Sequence, residues 1–270
     1  MWSSTDGVYS LTVTILAKAK SLVVVLPIFI CSLAAPVHAE RIEVKKSTIT
    51  VSAAASLVNV YTEIGKQFEK ANPSIKGRFN FASSSSLVSQ IQSGAPTDVF
   101  AAADLTSFDK LLATGNVVKS PKVFARNSMQ LVVKPGNPLG IATVADLSKS
   151  SVISLCAKTT PCGAYAATVL SRYGVVIAES KITRGIDATA TLNAVSTGDA
   201  DAAIVYATDA VSAKKSVATI SIPAGKNVKA MYGIGVIRGS KNSKQAETFV
   251  SYVLSPAGQK VLNTFGFLAP

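Results

Sequence analysis

Histidine is almost missing from this sequence. Its one copy, His38, stands near the start, so everything that follows has none. That excludes serine–histidine and cysteine–histidine catalysis, and every histidine-ligated metal site, from the bulk of the chain. Phosphate loops of the GxxxxGK type are absent, and "GIGVIRG" (Gly233, Gly235, Gly239) misses the dinucleotide spacing by one residue inside a strand pattern. Acidic residues are outnumbered, 15 against 27 Lys and Arg. The lysines are scattered with few aromatics among them, which reads as a solvated basic surface rather than a nucleic-acid site. Only one apolar run is long, Leu22 to Ala35, and it is too short to span a membrane.

That run has the character of an export signal. Lys18 and Lys20 precede it, and "PVHAE" follows with small residues at Val37 and Ala39, so residues 1–39 are expected to be a signal peptide cut after Ala39. The alternative is lipidation at Cys31, where the preceding "IFI" lacks the small residue such a site needs. Cleavage would leave 231 residues, and the loss of two basic and one acidic residue leaves a net charge of +11. This length can bury one large core or two smaller ones. Two cysteines remain, Cys156 and Cys162, and an oxidising compartment favours a disulfide closing "CAKTTPC" over a reactive thiol.

From Ser47 onward, apolar strands alternate with amphipathic helices. "STITVSAAAS" alternates as a strand, and "LVNVYTEIGKQFEKAN" places Leu57, Val60, Tyr61, Ile64 and Phe68 on one helical face before Asn72 and Pro73 end it. "SIKGRFNFAS" and "TDVFAAAD" are further strands, and "SLVSQIQSG" and "LTSFDKLLATG" are helices closed by Gly94 and Gly115. Near Asn127 a second unit of the same kind begins: strands "SMQLVVKPG" and "VISLC", then helices "GAYAATVLSRYG" and "TATLNAVSTGD". "ADAAIVYATDAVSAKK" is a strand running into a helix, "ATISIP" and "MYGIGVIRG" are strands, and the tail is two helices broken at Ser255 and Pro256. The fold class is therefore α/β with largely parallel sheets. No low-complexity linker separates the halves, which suits two lobes joined by extended strands with the last helices returning to the first lobe.

Three helix starts are preceded by small or hydroxyl residues: "AAAS" at 53–56, "ASSSS" at 82–86 and "TTPCGA" at 159–164. A helix start offers unpaired N–H groups and a partial positive charge, so it binds anions without lysine or arginine. Each start also has a plainer reading. Ser56 and one of Ser83 to Ser86 could be N-caps, "TTPCG" a pinned turn, and Tyr206 a core tyrosine. What favours function is that several such ends lie at strand-to-helix junctions, where open α/β sheets bind ligands. Asp98 and Asp104 flank "VFAAA", and Asp104 is read as the cap of a helix beginning at Leu105. Ser107 with Lys110, and Ser212 with Lys215, satisfy SxxK, which leaves a serine–lysine hydrolase as a competing class.

"ITVSAAASL", "FASSSSLVSQIQSGAPTDVFAAAD", "DADAAIVYATDA" and "LSPAGQKVLNTFGF" resemble segments of the molybdate-binding proteins of ABC importers, and the likeness covers about residues 47–270. The resemblance implies a two-lobe, type II Venus-flytrap solute-binding protein, each lobe a mixed sheet flanked by helices: lobe 1 from 40–127 and 227–270, lobe 2 from 128–226. It implies a periplasmic binder of molybdate, and of tungstate, that serves a permease and an ATPase as a monomer. No enzyme activity, cofactor, nucleic acid or direct cation ligand is implied. Carried over by position, the oxyanion donors are the hydroxyl and N–H of Ser56 and Ser84, the backbone N–H of Cys162 and of Ala188, and the Tyr206 phenol. Alanine or serine is commoner than cysteine at the Cys162 position, which a backbone donor tolerates. Sulfate, phosphate or a small organic anion is the competing ligand class.

Overall fold

Strand β1 (Ser47–Ala54) leads through one turn of 3₁₀ helix, Ala55–Leu57, into α1 (Val58–Ala71), in a computed structural model that describes residues 46–117 and 119–270. The expected signal segment, its cleavage site and Cys31 lie outside the described residues. In α1 the side chains of Val60, Tyr61, Ile64 and Phe68 are buried, as the 3.6-residue spacing requires. Next come β2 (Ile75–Ala82), α2 (Ser84–Gln92), β3 (Val99–Ala102), α3 (Thr106–Ala113) and β4 (Lys122–Asn127). Strand β5 (Met129–Val133), strand β6 (Ile153–Cys156), α4 (Pro161–Tyr173), β7 (Ile182–Gly185) and α5 (Ala188–Ser196) follow. The chain closes with β8 (Ala202–Tyr206), α6 (Ala207–Ser212), β9 (Ala218–Ser221), β10 (Ala230–Val236), α7 (Ser243–Leu254) and α8 (Pro256–Thr264).

These strands form two five-stranded sheets, ordered β2-β1-β3-β10-β4 and β7-β6-β8-β5-β9. Within the first, β1, β2 and β3 are mutually parallel and β10 is antiparallel to β3 and β4. Within the second, β6, β7 and β8 are parallel and β5 runs against β8 and β9. Each sheet thus holds a parallel trio whose C-terminal ends share one edge, so each strand hands the chain to a helix start at that edge. β3, β6 and β8 are buried along their whole length, the pattern of strands covered on both faces.

The chain crosses between sheets at residues 127–129 and again between β9 and β10. Asn227 ties the two crossings together. Its Oδ1 accepts from the N–H of Met129 (2.9 Å), and its Nδ2 donates to the Met129 carbonyl (2.8 Å) and to the Ile222 carbonyl (3.1 Å). An aromatic series runs through the junction: Tyr206 meets Tyr232 edge-on at 5.7 Å, and Tyr232 meets Phe124 at 6.1 Å and Phe267 at 5.4 Å. Cys156 and Cys162 form a disulfide. Closing so short a loop stabilises the fold by roughly 2 kcal/mol in the chain-entropy account, and it ties the end of β6 to the first turn of α4.

Candidate functional site

Four helix starts meet at one cavity. The cavity is lined by Ala54, Ala55 and Ser56, by Ser83 and Ser84, by Thr160, Pro161 and Cys162, by Asp187 and Ala188, and by Ala103 and Tyr206. All five residues carried over by position from the sequence resemblance, Ser56, Ser84, Cys162, Ala188 and Tyr206, are therefore brought together, from both sheets. The space open to the centre of a water molecule is about 20 Å³. One water needs about 10–15 Å³ on that measure, so the cavity suits a single compact group of a few atoms.

Local bonding decides which first-turn N–H groups remain free. In α2 the Ser83 Oγ accepts from the N–H of Ser86 at 3.2 Å, and the N–H of Leu87 donates to the Ser83 carbonyl. Ser84, the first helical residue, has no such partner for its N–H. At α4, Pro161 has no N–H, and Thr160 Oγ1 accepts from Gly163 N at 3.2 Å. Cys162 is then the one residue of positions 161–163 with an N–H to spare. At α5, Asp187 Oδ1 accepts from Ala190 N at 2.8 Å, which leaves Ala188 at the open end. The 3₁₀ turn before α1 has no side-chain cap at all. Four partial positive charges and several unused donors consequently face the same small space.

The hydroxyls follow the same rule. Ser84 is 1% exposed, and its Oγ accepts from the N–H of Ala103 at 3.0 Å. A backbone N–H can only donate, so the serine proton is left over for another acceptor. The four-serine run thus divides its work: Ser83 caps α2, Ser85 and Ser86 bond to Ser83 (3.2 and 2.7 Å), and Ser84 lines the cavity. Ser56 is not a cap; it lies inside the 3₁₀ turn, with its Oγ 2.9 Å from the Tyr232 hydroxyl. Tyr206 is 1% exposed and its hydroxyl has no partner among the described residues. Burial, reinforced by the neighbouring Tyr232, Tyr165, Asp209 and Asp104, pushes its phenol well above the usual tyrosine range, so it remains a donor. An orphaned buried hydroxyl costs about 1–3 kcal/mol, which an acceptor in the cavity would recover.

Among the described residues no lysine or arginine lines the space and Asp187 is the one charged residue that does, with one of its oxygens used in capping α5. The expected cap at Asp104 is not formed. Leu105 takes the N-cap position of α3 with no side-chain bond, while the Thr106 hydroxyl donates to Asp104 Oδ2. The two Ser-x-x-Lys matches lie away from the cavity: Ser107 is buried while Lys110 is exposed, and the Ser212 hydroxyl donates to the Asp209 carbonyl at 2.7 Å. Tyr232 is the site residue that sequence reasoning missed. It stands in a plain strand pattern, 176 positions from its partner Ser56, and carries no local signal.

The sequence profile of a family described as bacterial extracellular solute-binding protein matches residues 49–268. The molybdate-binding protein ModA of Mycobacterium tuberculosis is 35% identical over 224 residues, which is 83% of this chain and 85% of that protein. Among solved structures, the periplasmic molybdate-binding protein of Azotobacter vinelandii superposes with a TM-score of 0.75 at 19% identity, covering 82% of this chain and 99% of that one. The sulfate-binding protein SubI of Mycobacterium tuberculosis superposes almost as well, at 0.74 and 16% identity, covering 82% of this chain and 86% of that one. These relatives are solute-binding proteins, not enzymes.

Proposed function

Because the chain belongs to the family of bacterial extracellular solute-binding proteins, we propose that its cavity captures molybdate, and tungstate equally, for delivery to the permease and ATPase of an ABC importer. The observation that carries this reading is a buried Tyr206 hydroxyl with no partner among the described residues, in a cavity ringed by four helix starts and lined, among those residues, by no lysine or arginine. A buried dianion is tolerable only when its oxygens are fully hydrogen-bonded, and charge-assisted bonds from fixed N–H and O–H groups are the strong kind. Ser56 and Ser84 would each give hydroxyl and N–H, Cys162 and Ala188 their N–H groups, and Tyr206 its phenol. Every donor is neutral, so charge does not separate molybdate from sulfate. Cavity size must, and tungstate, nearly the same size as molybdate, passes the same test.

The two sheets with their helices act as lobes, 40–127 with 227–270 and 128–226, that close on the anion. Closure completes the donor set, and the closed shape is what the permease recognises. The protein works as an exported monomer in the periplasm, released by cleavage after Ala39. Melting of the purified protein with and without millimolar molybdate tests the reading, because a ligand of the folded state raises the melting temperature. Ser84→Ala and Tyr206→Phe should each shrink the rise. Sulfate displacing molybdate in competition, or both variants leaving the rise unchanged, would overturn it.

A further inference from the structure

We propose that Tyr232 is a positioning residue that fixes the direction of the Ser56 proton, as the last link of a one-way chain of donors starting at the crossing between the sheets. The claim rests on the reading of Ser56 as an anion donor. Four buried side chains form the chain: Ser56, Tyr232, Asn127 and Thr208, exposed by 8, 0, 2 and 6%. The N–H of Ser128 donates to Asn127 Oδ1 at 2.9 Å. A backbone N–H cannot accept, so this contact settles which end of the Asn127 amide is oxygen. Asn127 Nδ2 then faces Thr208 Oγ1 at 2.9 Å and the Tyr232 hydroxyl at 3.4 Å, and it can only donate to both.

The consequence passes along the chain. Tyr232 has one proton, and Asn127 cannot take it. Among the described residues its remaining partner is Ser56 Oγ, at 2.9 Å. With Tyr232 donating, Ser56 Oγ accepts and its own proton turns to the cavity it lines. Were Ser56 to donate instead, the fully buried Tyr232 proton would be orphaned, at the cost that attends any unsatisfied buried donor. Ser84 reaches the same polarity through the N–H of Ala103. Both serines thereby turn their protons toward the cavity as donors to an oxyanion.

Isothermal titration with sodium molybdate of the wild type, Tyr232→Phe, Ser56→Ala and the double variant tests this. Phe keeps the ring packing against Phe124, Tyr206 and Phe267, and ligand-free melting of each variant reports whether the fold is kept. We expect each single variant to weaken binding about three- to tenfold, and the double variant to bind no more weakly than Ser56→Ala alone, since the phenol acts only through that serine. A purely structural role for Tyr232 predicts equal weakening with and without Ser56; that result, or Tyr232→Phe binding as wild type, overturns the relay and leaves the site standing. Ser56→Ala binding as wild type overturns the site reading instead. Should Tyr232→Phe fail to fold, Asn127→Ala enters the same cycle with the same expectation.

Discussion

Asp209 lies one turn beyond Tyr206, buried, with Oδ2 lacking a partner among the described residues. Burial pushes its carboxyl up to about 7; the Tyr206 backbone N–H pulls the other way and the charge of Asp187 adds to the rise. The folded protein therefore prefers the neutral acid. An unfolded aspartate titrates near 3.9, so this group's contribution to stability is complete below about pH 4, declines as the pH rises to about 7, and is level above. Its size is on the order of a few kcal/mol. Asp209→Asn should flatten the fall in melting temperature between pH 4 and 7 and melt higher than wild type at pH 8. An unchanged slope would show that the carboxyl does not titrate there. Tyr206, by contrast, is held well above the usual tyrosine range by burial, so it stays a donor from pH 4 to 7.

At the scale of elements, α4 shows how closely a helix start must fit. Gly163 is its third residue, and a Cβ there would sit 2.2 Å from the Ala157 carbonyl oxygen, against rigid backbone. Gly163→Ala should cost about 1–3 kcal/mol through overpacking and weaken molybdate binding as well, since the neighbouring Cys162 N–H must move. Urea denaturation and titration of the same variant check both; stability lost with binding intact would separate α4 from the site. Elements differed in how plainly they could be read. The long amphipathic α1 and the buried β1, β3 and β8 follow from hydrophobic period alone. Strands β4, "KVFARN", and β7, "ITRG", escaped that reading because both are edge strands, where charged Lys122, Arg126 and Arg184 are tolerated and interrupt the apolar pattern. Asp104 shows the reverse error, a good capping residue whose side chain is taken by Thr106.

For the whole molecule, a hydrogen bond joins the lobes across the cleft from the crossings. The Tyr165 hydroxyl, on α4, donates to the carbonyl of Ala103 at 3.4 Å, and the N–H of that same Ala103 donates to Ser84. Burial, with Asp104 nearby, pushes the Tyr165 phenol up to about 12, so it too stays a donor. Tyr165→Phe should speed molybdate release about three- to fivefold, the worth of one modest hydrogen bond, with little change in ligand-free melting. Stopped-flow displacement measures this, and an unchanged release rate would show that closure does not depend on the contact.

Strand and helix order, the punctuation by Gly94 and Gly115, and the helix starts at Ser56, Ser84 and Cys162 were legible in the chain because each rests on residues within a turn or two of one another. The resemblance extended this to Ala188 and Tyr206, whose surroundings announce little by themselves. What only the tertiary structure decided is convergence. Two parallel trios end at facing edges and bring four helix starts to one small cavity, and the proton direction at Ser56 depends on Tyr232 and Asn127, far away along the chain. Hydrogen-bond direction is a property of who meets whom in space, so no local pattern could have carried it.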